Sequence, residues 1–479
     1  MMWEESRDNF ESKEFSGVLK RYKQMLTEQR TEFFDVSDFE FIADQYIDKS
    51  QFSNALQACE IALRQHPNST IVRIKKAQIY LSQLKFPKAI LLLKELEELE
   101  NTNPDVLMML GTCHNMKGEH HRAAEYFKKA EKYAFEDRDE LLYSIGISFI
   151  QTGAFDEALS YLKKALTENP EHEPVLYDLA FCYEKLGDDQ KAIEYYNKYL
   201  DIDSFSESAW YNLGIIYNRL EDYERAISSY DFALAIDPGY AAAIFNKANA
   251  LSAIENFQDS ISAYNEYLNI DPDSVDAHLY LADCHFQLDD YENAGIWYNK
   301  TILLDSNCSD GWFGAGLVML INDRSAEAIP VFKKSLEINP DCAECWNALG
   351  KAFAALNNFK EAKSSYTKAL ELDNEIPEYW LSYADLLFNN NLFEEAVQTL
   401  EDAENSEARC AAVMYRLAGF YIFLDNYAIA SEKLENALSE DYSMHQEFLE
   451  NFPTFLLIDW VTELIEKYGS QRNDASLDL

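Results

Sequence analysis

Residues 207–240 read ESAWYNLGIIYNRLEDYERAISSYDFALAIDPGY, and residues 241–274 read AAAIFNKANALSAIENFQDSISAYNEYLNIDPDS. In the first stretch Trp210, Leu213, Gly214 and Tyr217 follow helical spacing, as do Ala226, Tyr230 and Ala233, and Asp237-Pro238 interrupts the pattern. The second stretch repeats the arrangement 34 residues on. Moving by 34 in both directions, with one extra residue between about 104 and 138, places repeat starts near 36, 70, 104, 139, 173, 207, 241, 275, 309, 343, 377 and 411. A period of this length marks an array of small supersecondary units.

Numbered from the first residue of each repeat, position 8 is Ala43, Ala77, Gly111, Gly146, Ala180, Gly214, Ala248, Ala282, Gly316, Gly350, Ala384 and Ala418. Position 20 is alanine throughout, except for Ser260. Small residues at two fixed points let paired helices approach where they cross, and larger ones would push the axes apart. The complementary bulk stands at position 24, with Phe127, Tyr196, Tyr230, Tyr264, Tyr298, Phe332 and Tyr366, and at position 11, with Tyr46, Tyr80, Phe149, Tyr183, Tyr217, Phe353 and Tyr421. The expected fold is all-α, built from helix–turn–helix units that each need a neighbour to bury their faces.

The order Trp210, Leu213, Gly214, Tyr217, Ala226, Tyr230, Pro238 resembles the tetratricopeptide repeat signature, Trp-x2-Leu-Gly-x2-Tyr followed by Ala, Phe and Pro. Repeats beginning at 207, 309 and 343 match best, and Trp210, Trp312, Trp346 and Trp380 all stand at position 4. The resemblance implies a right-handed α-α superhelix, a tetratricopeptide solenoid of about twelve repeats over residues 36–444. Residues 1–35 are then a half-repeat or capping helix, with Val18, Tyr22 and Met25 at second-helix spacing. Residues 445–469 are capping helices, including the amphipathic stretch from Phe455 to Tyr468, and residues 470–479 are a disordered tail. Departures from the pattern are Tyr199 and Tyr267 at position 27, where alanine is usual, Arg73 and Lys76 at apolar positions, and Pro330 within a second helix, where a kink is expected.

In this family the first helix of each repeat lines the concave face. Carried over, positions 5, 9 and 12 supply the candidate protein-binding residues Tyr143, Ile147, Tyr177, Phe181, Tyr211, Ile215, Phe245, Asn249, Phe286 and Phe313, with Leu279 and Asp283 in the same register. That apolar and aromatic floor suits an extended peptide or helix with hydrophobic anchors and basic flanks. The alternative is that positions 5 and 9 partly pack against the next repeat. Two family sites are not expected. No repeat has lysine at position 5, as the chaperone-tail clamp requires, and only Asn212 and Asn246 stand at position 6, too few for the asparagine ladder of the glycosyltransferase-type arrays.

Composition points the same way. The 479 residues include only 15 Gly and 11 Pro but 30 Tyr and 29 Phe, which favours long regular elements with ample core material. Asp and Glu outnumber Lys and Arg by 84 to 41, a net charge of −43. Such a surface repels phosphate backbones and anionic lipid, so neither nucleic acid nor membrane is an expected partner. The acidity also serves simple solubility. Residues 70–133 are the exception, with more Lys and Arg than Asp and Glu, read either as ordinary solvated helix face or as a second docking surface. No stretch reaches 18 uninterrupted apolar residues, and the start Met1-Met2-Trp3-Glu4-Glu5 has no signal-peptide character, so a cytoplasmic location is expected.

The repeats leave about 35 residues at each end, too few for a catalytic domain. No enzyme activity, small-molecule substrate, cofactor or metal is expected. Cys113, Cys182 and Cys284 share position 10, and Cys308, Cys342 and Cys410 share position 34; equivalent positions in adjacent repeats stand too far apart for disulfides. Cys342-Ala343-Glu344-Cys345 is a lone Cys-x-x-Cys without a second ligand pair nearby. His114 and His285 replace tyrosine at position 11 and read as packing residues, and His120-His121 lacks metal spacing. The functional expectation is a scaffold or adaptor that binds proteins, or alternatively a regulatory subunit of a separate enzyme or gene-expression component.

Overall fold

A computed structural model describes residues 17–135 and 137–477, the last seven as backbone alone. Helix α1 covers 17–27. The first unit, Met1–Asp237, then continues through α2 (Val36–Ile47), α3 (Phe52–Gln65), α4 (Thr70–Ser82), α5 (Phe86–Leu99), α6 (Pro104–Met116), α7 (His120–Tyr133), α8 (Arg138–Gln151), α9 (Phe155–Glu168), α10 (Glu173–Lys185), α11 (Asp189–Leu200), α12 (Glu207–Arg219) and α13 (Tyr223–Ile236). The second unit, Pro238–Leu479, holds α14 (Ala241–Ala253), α15 (Phe257–Ile270), α16 (Val275–Gln287), α17 (Tyr291–Leu304), α18 (Ser309–Ile321), α19 (Ser325–Ile338), α20 (Ala343–Ala355), α21 (Phe359–Leu372), α22 (Pro377–Asn389), α23 (Phe393–Glu404), α24 (Ala411–Phe423), α25 (Tyr427–Glu440), α26 (His445–Asn451) and α27 (Asp459–Leu477), with short 3-10 turns on either side of α26. No strand occurs among the described residues.

Each helix pair turns at the same point. Position 15 adopts positive φ in all twelve pairs, from Ser50 (56°), Leu84 (56°) and Gly118 (76°) to Asn391 (61°) and Asp425 (59°). Only Gly118, Gly153 and Gly187 meet that demand with glycine; Leu84, Glu221 and Glu255 hold it against steric cost. Several first helices start on a side-chain cap, such as Ser69 to the Val72 amide, Ser206 to Ala209 and Ser274 to Ala277.

The linker between pairs has its own fastening. The indole Nε1 of Trp210, Trp312, Trp346 and Trp380 donates to the carbonyl six residues earlier, on Ser204, Ser306, Pro340 and Asn374, at 3.1, 3.0, 2.9 and 2.9 Å. The acceptor is always position 32, whether or not that residue is proline.

Between the paired helices the rings at position 24 are fully buried, and they meet position 8 in two ways. Over Gly111, Gly214, Gly316 and Gly350 the rings of Phe127, Tyr230, Phe332 and Tyr366 occupy the place a Cβ would take, at 2.4 to 2.7 Å. Over Ala180, Ala248 and Ala282 the tyrosines instead send their hydroxyls to polar groups on the first helix: Tyr196 to Glu184 (3.2 Å), Tyr264 to Asn249 (2.5 Å) and Tyr298 to Asp283 (2.7 Å).

The first unit is closed by α1, whose Val18, Tyr22 and Met25 are buried, with Tyr22 edge-on to Phe34, Phe39 and Tyr46. In the second unit Phe448, Phe455, Val461 and Ile465 are buried in one cluster with Leu434 and Leu438. One local expectation is corrected. Helix α27 continues through 470–477, where a disordered tail was expected, because that stretch contains no Gly or Pro to end it; residues 478–479 lie outside the described residues. Pro330 sits inside α19, which runs on past it to Ile338. The other departures are accommodated. Arg73 donates to the Pro67 carbonyl (3.0 Å), and Lys76 lies 3.7 Å from Glu60.

Candidate protein-binding groove

Positions 5, 9 and 12 range from buried, as at Leu279 and Glu184, to exposed, as at Gln78. Tyr143, Ile147, Tyr177, Phe181, Tyr211, Ile215, Phe245, Asn249, Phe286 and Phe313 are all half-buried. The position follows from the helix period. With positions 4, 7, 8 and 11 turned into the pair, 5, 9 and 12 fall on the flank beside it.

In the first unit the first helices α4, α6 and α8 place these positions around one cavity of about 470 Å³. Gln78 and Leu81 come from α4, Met108 and Thr112 from α6, and Tyr143 and Ile147 from α8. No lining residue is charged. Tyr143 also packs 5.0 Å from the His172 ring, and its hydroxyl is hydrogen-bonded to Asp178 of α10. Burial raises the Asp178 carboxyl above its ordinary range, and the Tyr143 hydroxyl works against that rise.

Tyr177 and the next first helix are joined by Asn212, whose amide donates to the Tyr177 hydroxyl (3.0 Å) and the Tyr196 hydroxyl (3.1 Å). Behind Tyr177 stand the rings of Tyr196 (5.6 Å) and Tyr199 (5.4 Å). Tyr211 lies 6.0 Å from Tyr230. Phe181 leans on Phe155 and carries the Lys185 ammonium 4.9 Å from its ring.

In the second unit Phe245 faces Tyr264 (5.9 Å), Tyr267 (5.0 Å) and Tyr280 (6.0 Å), and Asn249 accepts the Tyr264 hydroxyl. Tyr199 and Tyr267, both at position 27, thus do the same thing in two repeats: each backs the position-5 ring with another. Phe286 packs on Tyr291 and Phe313 on Phe332, each within its own repeat. The structure therefore brings Tyr143 and Ile147 to one cavity and joins Phe245 to Asn249 through Tyr264, while Phe181, Phe286 and Phe313 are held singly.

Gln78, Leu81, Met108 and Thr112 were missed as groove residues although they occupy the same positions of the repeats starting at 70 and 104. Their register was the available signal, and their ordinary chemistry hid it. Part of the basic stretch over 70–133 is paired within the chain: Lys75 meets Asp44 (2.8 Å), Lys94 meets Glu97 (2.8 Å), and Lys117 and Arg122 meet Glu119 (2.6 and 3.0 Å). Those hydrogen bonds, with one from His114, hold the Glu119 carboxyl down at about 2. His114 and His285 each reach a turn acid five residues on, Glu119 (2.7 Å) and Asp290 (3.0 Å).

Among the described residues no three His, Cys, Asp or Glu side chains converge to hold a metal, and no helix is long and apolar enough to cross a membrane. The eight cysteines are free thiols. Cys342 caps α20, accepting the Cys345 amide at 3.3 Å, and the paired thiol of Cys345 lowers Cys342 to about 7.

Helix pairs of constant length, turning at one register position and presenting one register face, define a helical-repeat protein. Comparison supplies the family. Tetratricopeptide repeat models match residues 149–213, 208–240, 245–306 and 343–376, and a model described as "Psidin, N-terminal TPR repeats region" matches 44–156. The chain is a tetratricopeptide repeat protein. It is 29% identical over 122 residues to the general transcriptional corepressor ssn6 of Schizosaccharomyces pombe, an alignment that spans 25% of this chain and 11% of that protein. Among solved structures it is similar to a tetratricopeptide repeat protein from Parabacteroides merdae, with 18% identity, 52% of this chain and 98% of that one covered, and a TM-score of 0.39. It is also similar to YrrB, described as a TPR protein with an unusual peptide-binding site, with 19% identity, 38% and 95% covered, and a TM-score of 0.34.

Proposed function

We propose that this chain is a non-catalytic scaffold that binds protein or peptide partners along the first-helix faces of its repeats. The observation that carries the reading is the cavity between α4, α6 and α8. Three successive repeats each contribute position 9 and one of positions 5 and 12 to it, and it is uncharged in a chain of net charge −43. An open, methionine-bearing recess accepts apolar anchors of varied shape, which is how a helix or extended peptide is held in a groove. The acidic remainder of the surface favours partners with basic segments and disfavours nucleic acid and anionic lipid. The reading includes neither a small-molecule substrate nor a cofactor, and it places the chain in the cytoplasm, where eight free thiols remain reduced.

The test uses a photo-crosslinking amino acid in the full chain, at Met108 or Ile147 in the recess and at exposed Lys128 on α7 as control. Irradiation in native lysate should give discrete protein adducts from Met108 and Ile147 and not from Lys128. Equal labelling from all three sites, or none from the recess, refutes the groove.

A regulatory role is the second reading, favoured by the 122-residue similarity to a protein named as a general transcriptional corepressor. Under that reading the adducts are components of gene expression or a separate enzyme.

A further inference from the structure

Three repeats carry aspartate at position 9: Asp44, Asp283 and Asp385. Asp44 is paired with the Lys75 ammonium at 2.8 Å, and Asp385 is paired with the Arg416 guanidinium. In both cases the cation stands 31 residues on, at position 6 of the next repeat. The residue 31 on from Asp283 is Gly314. A side chain has no room there, because even a Cβ on Gly314 would sit 2.3 Å from the ring of Tyr298. Asp283 therefore receives the Tyr298 hydroxyl at 2.7 Å, and no ion pair to it occurs among the described residues.

The surroundings concentrate negative charge beside aromatic faces. Asp276, Asp283 and Asp310 all act on the Tyr280 hydroxyl. Burial, with Asp310 adding to it, raises the Asp283 carboxyl. Tyr280 is 38% exposed, and its ring lies 6.0 Å from Phe245 and 6.1 Å from Tyr264. The carboxylates are not grouped to chelate a metal ion. A cation carried on a flexible side chain fits better, with its apolar stem on the rings and its charged head at the carboxylate.

We propose that Asp283, with Tyr280 and Phe245, binds a lysine or arginine side chain of a bound peptide, which supplies the position-6 cation that this repeat lacks. The proposal rests on the groove reading above and names the chemistry of its occupant.

The test is selection of a displayed random dodecapeptide library on the immobilised full chain. Selected peptides are then synthesised, and their binding to wild type, Asp283→Asn and Asp310→Asn is measured by fluorescence anisotropy. The expected result is enrichment of lysine or arginine next to apolar residues, with binding weakened about tenfold or more by Asp283→Asn and less by Asp310→Asn. Replacing the peptide's basic residue with norleucine should weaken wild-type binding equally and leave the Asp283→Asn chain unaffected, the signature of a direct pair. Asp283→Asn should melt no lower than wild type, because it removes a half-buried carboxylate without a cation. Peptides that bind both chains alike, or that lack basic residues, overturn this proposal while leaving the groove intact. A library that yields no peptide at all overturns the groove reading as well.

Discussion

Gly214 shows how little room one residue has in this fold. The Tyr230 ring lies where its Cβ would be, at 2.5 Å. Gly214→Ala should therefore destabilise the chain by about 1–3 kcal/mol in urea unfolding, although alanine is the native residue at the same position over Tyr264 and Tyr298. Those two rings are tethered to Asn249 and Asp283; Tyr230 is packed over the glycine itself. The sequence displays the small and large columns plainly, but not which of the two packings each pair adopts, since that depends on a polar partner at position 9 or 12. A second residue-scale case is Cys342. Cys308 stands at the same repeat position, at the start of its own helix, but has Gly311 three residues on, and burial raises its thiol. Cys342 has Cys345 there and is lowered to about 7. Because the thiolate is the nucleophile, alkylation of Cys342 by iodoacetamide should rise through a midpoint near pH 7. Cys308 should need higher pH. Equal rates for both thiols at pH 7 would contradict the pairing.

At the scale of the element, the turn inside each pair demands a left-handed residue. Three glycines advertise it, and Asn357 and Asn391 tolerate it, but Leu84, Glu221 and Glu255 give no sign in the sequence, because the surrounding helices impose the conformation. Leu84 is exposed as well as strained, so Leu84→Gly should stabilise the chain by about 0.5–1 kcal/mol in thermal or urea melts, the relief of strain exceeding the entropy glycine adds to the unfolded chain. Between pairs, the tie from Asp385 of α22 to Arg416 of α24 is partly buried. Arg416→Met leaves that carboxylate without its cation and should cost about 2 kcal/mol, most of it recovered in the double variant with Asp385→Asn. Failure of the double variant to recover would show that Arg416 acts through its packed stem instead. Such ties were not legible beforehand: positions 6 and 9 were read for what they offer a partner, and their pairing across 31 residues emerges only when neighbouring first helices are set side by side.

For the whole molecule, the fold class was readable because a single constraint, small against large at a 34-residue period, recurs from Ala43 to Ala430. The candidate groove was readable only as a face. Tyr143 and Ile147 line a recess, yet their companions Met108, Thr112 and Gln78 carry no chemistry that distinguishes them from ordinary surface. Helix α27 runs past Tyr468 to Leu477, over a stretch where a disordered tail was expected. On the proposed reading, binding belongs to positions 5, 9 and 12 of successive first helices rather than to any one catalytic constellation. The most direct measurement is an alanine scan of every first and second helix in the full chain, scored for retention of the crosslinked partner and normalised to folded protein. Sensitivity should recur at positions 5, 9 and 12 of neighbouring first helices, 34 residues apart. Sensitivity confined to second helices or linkers, or scattered without that interval, would contradict it.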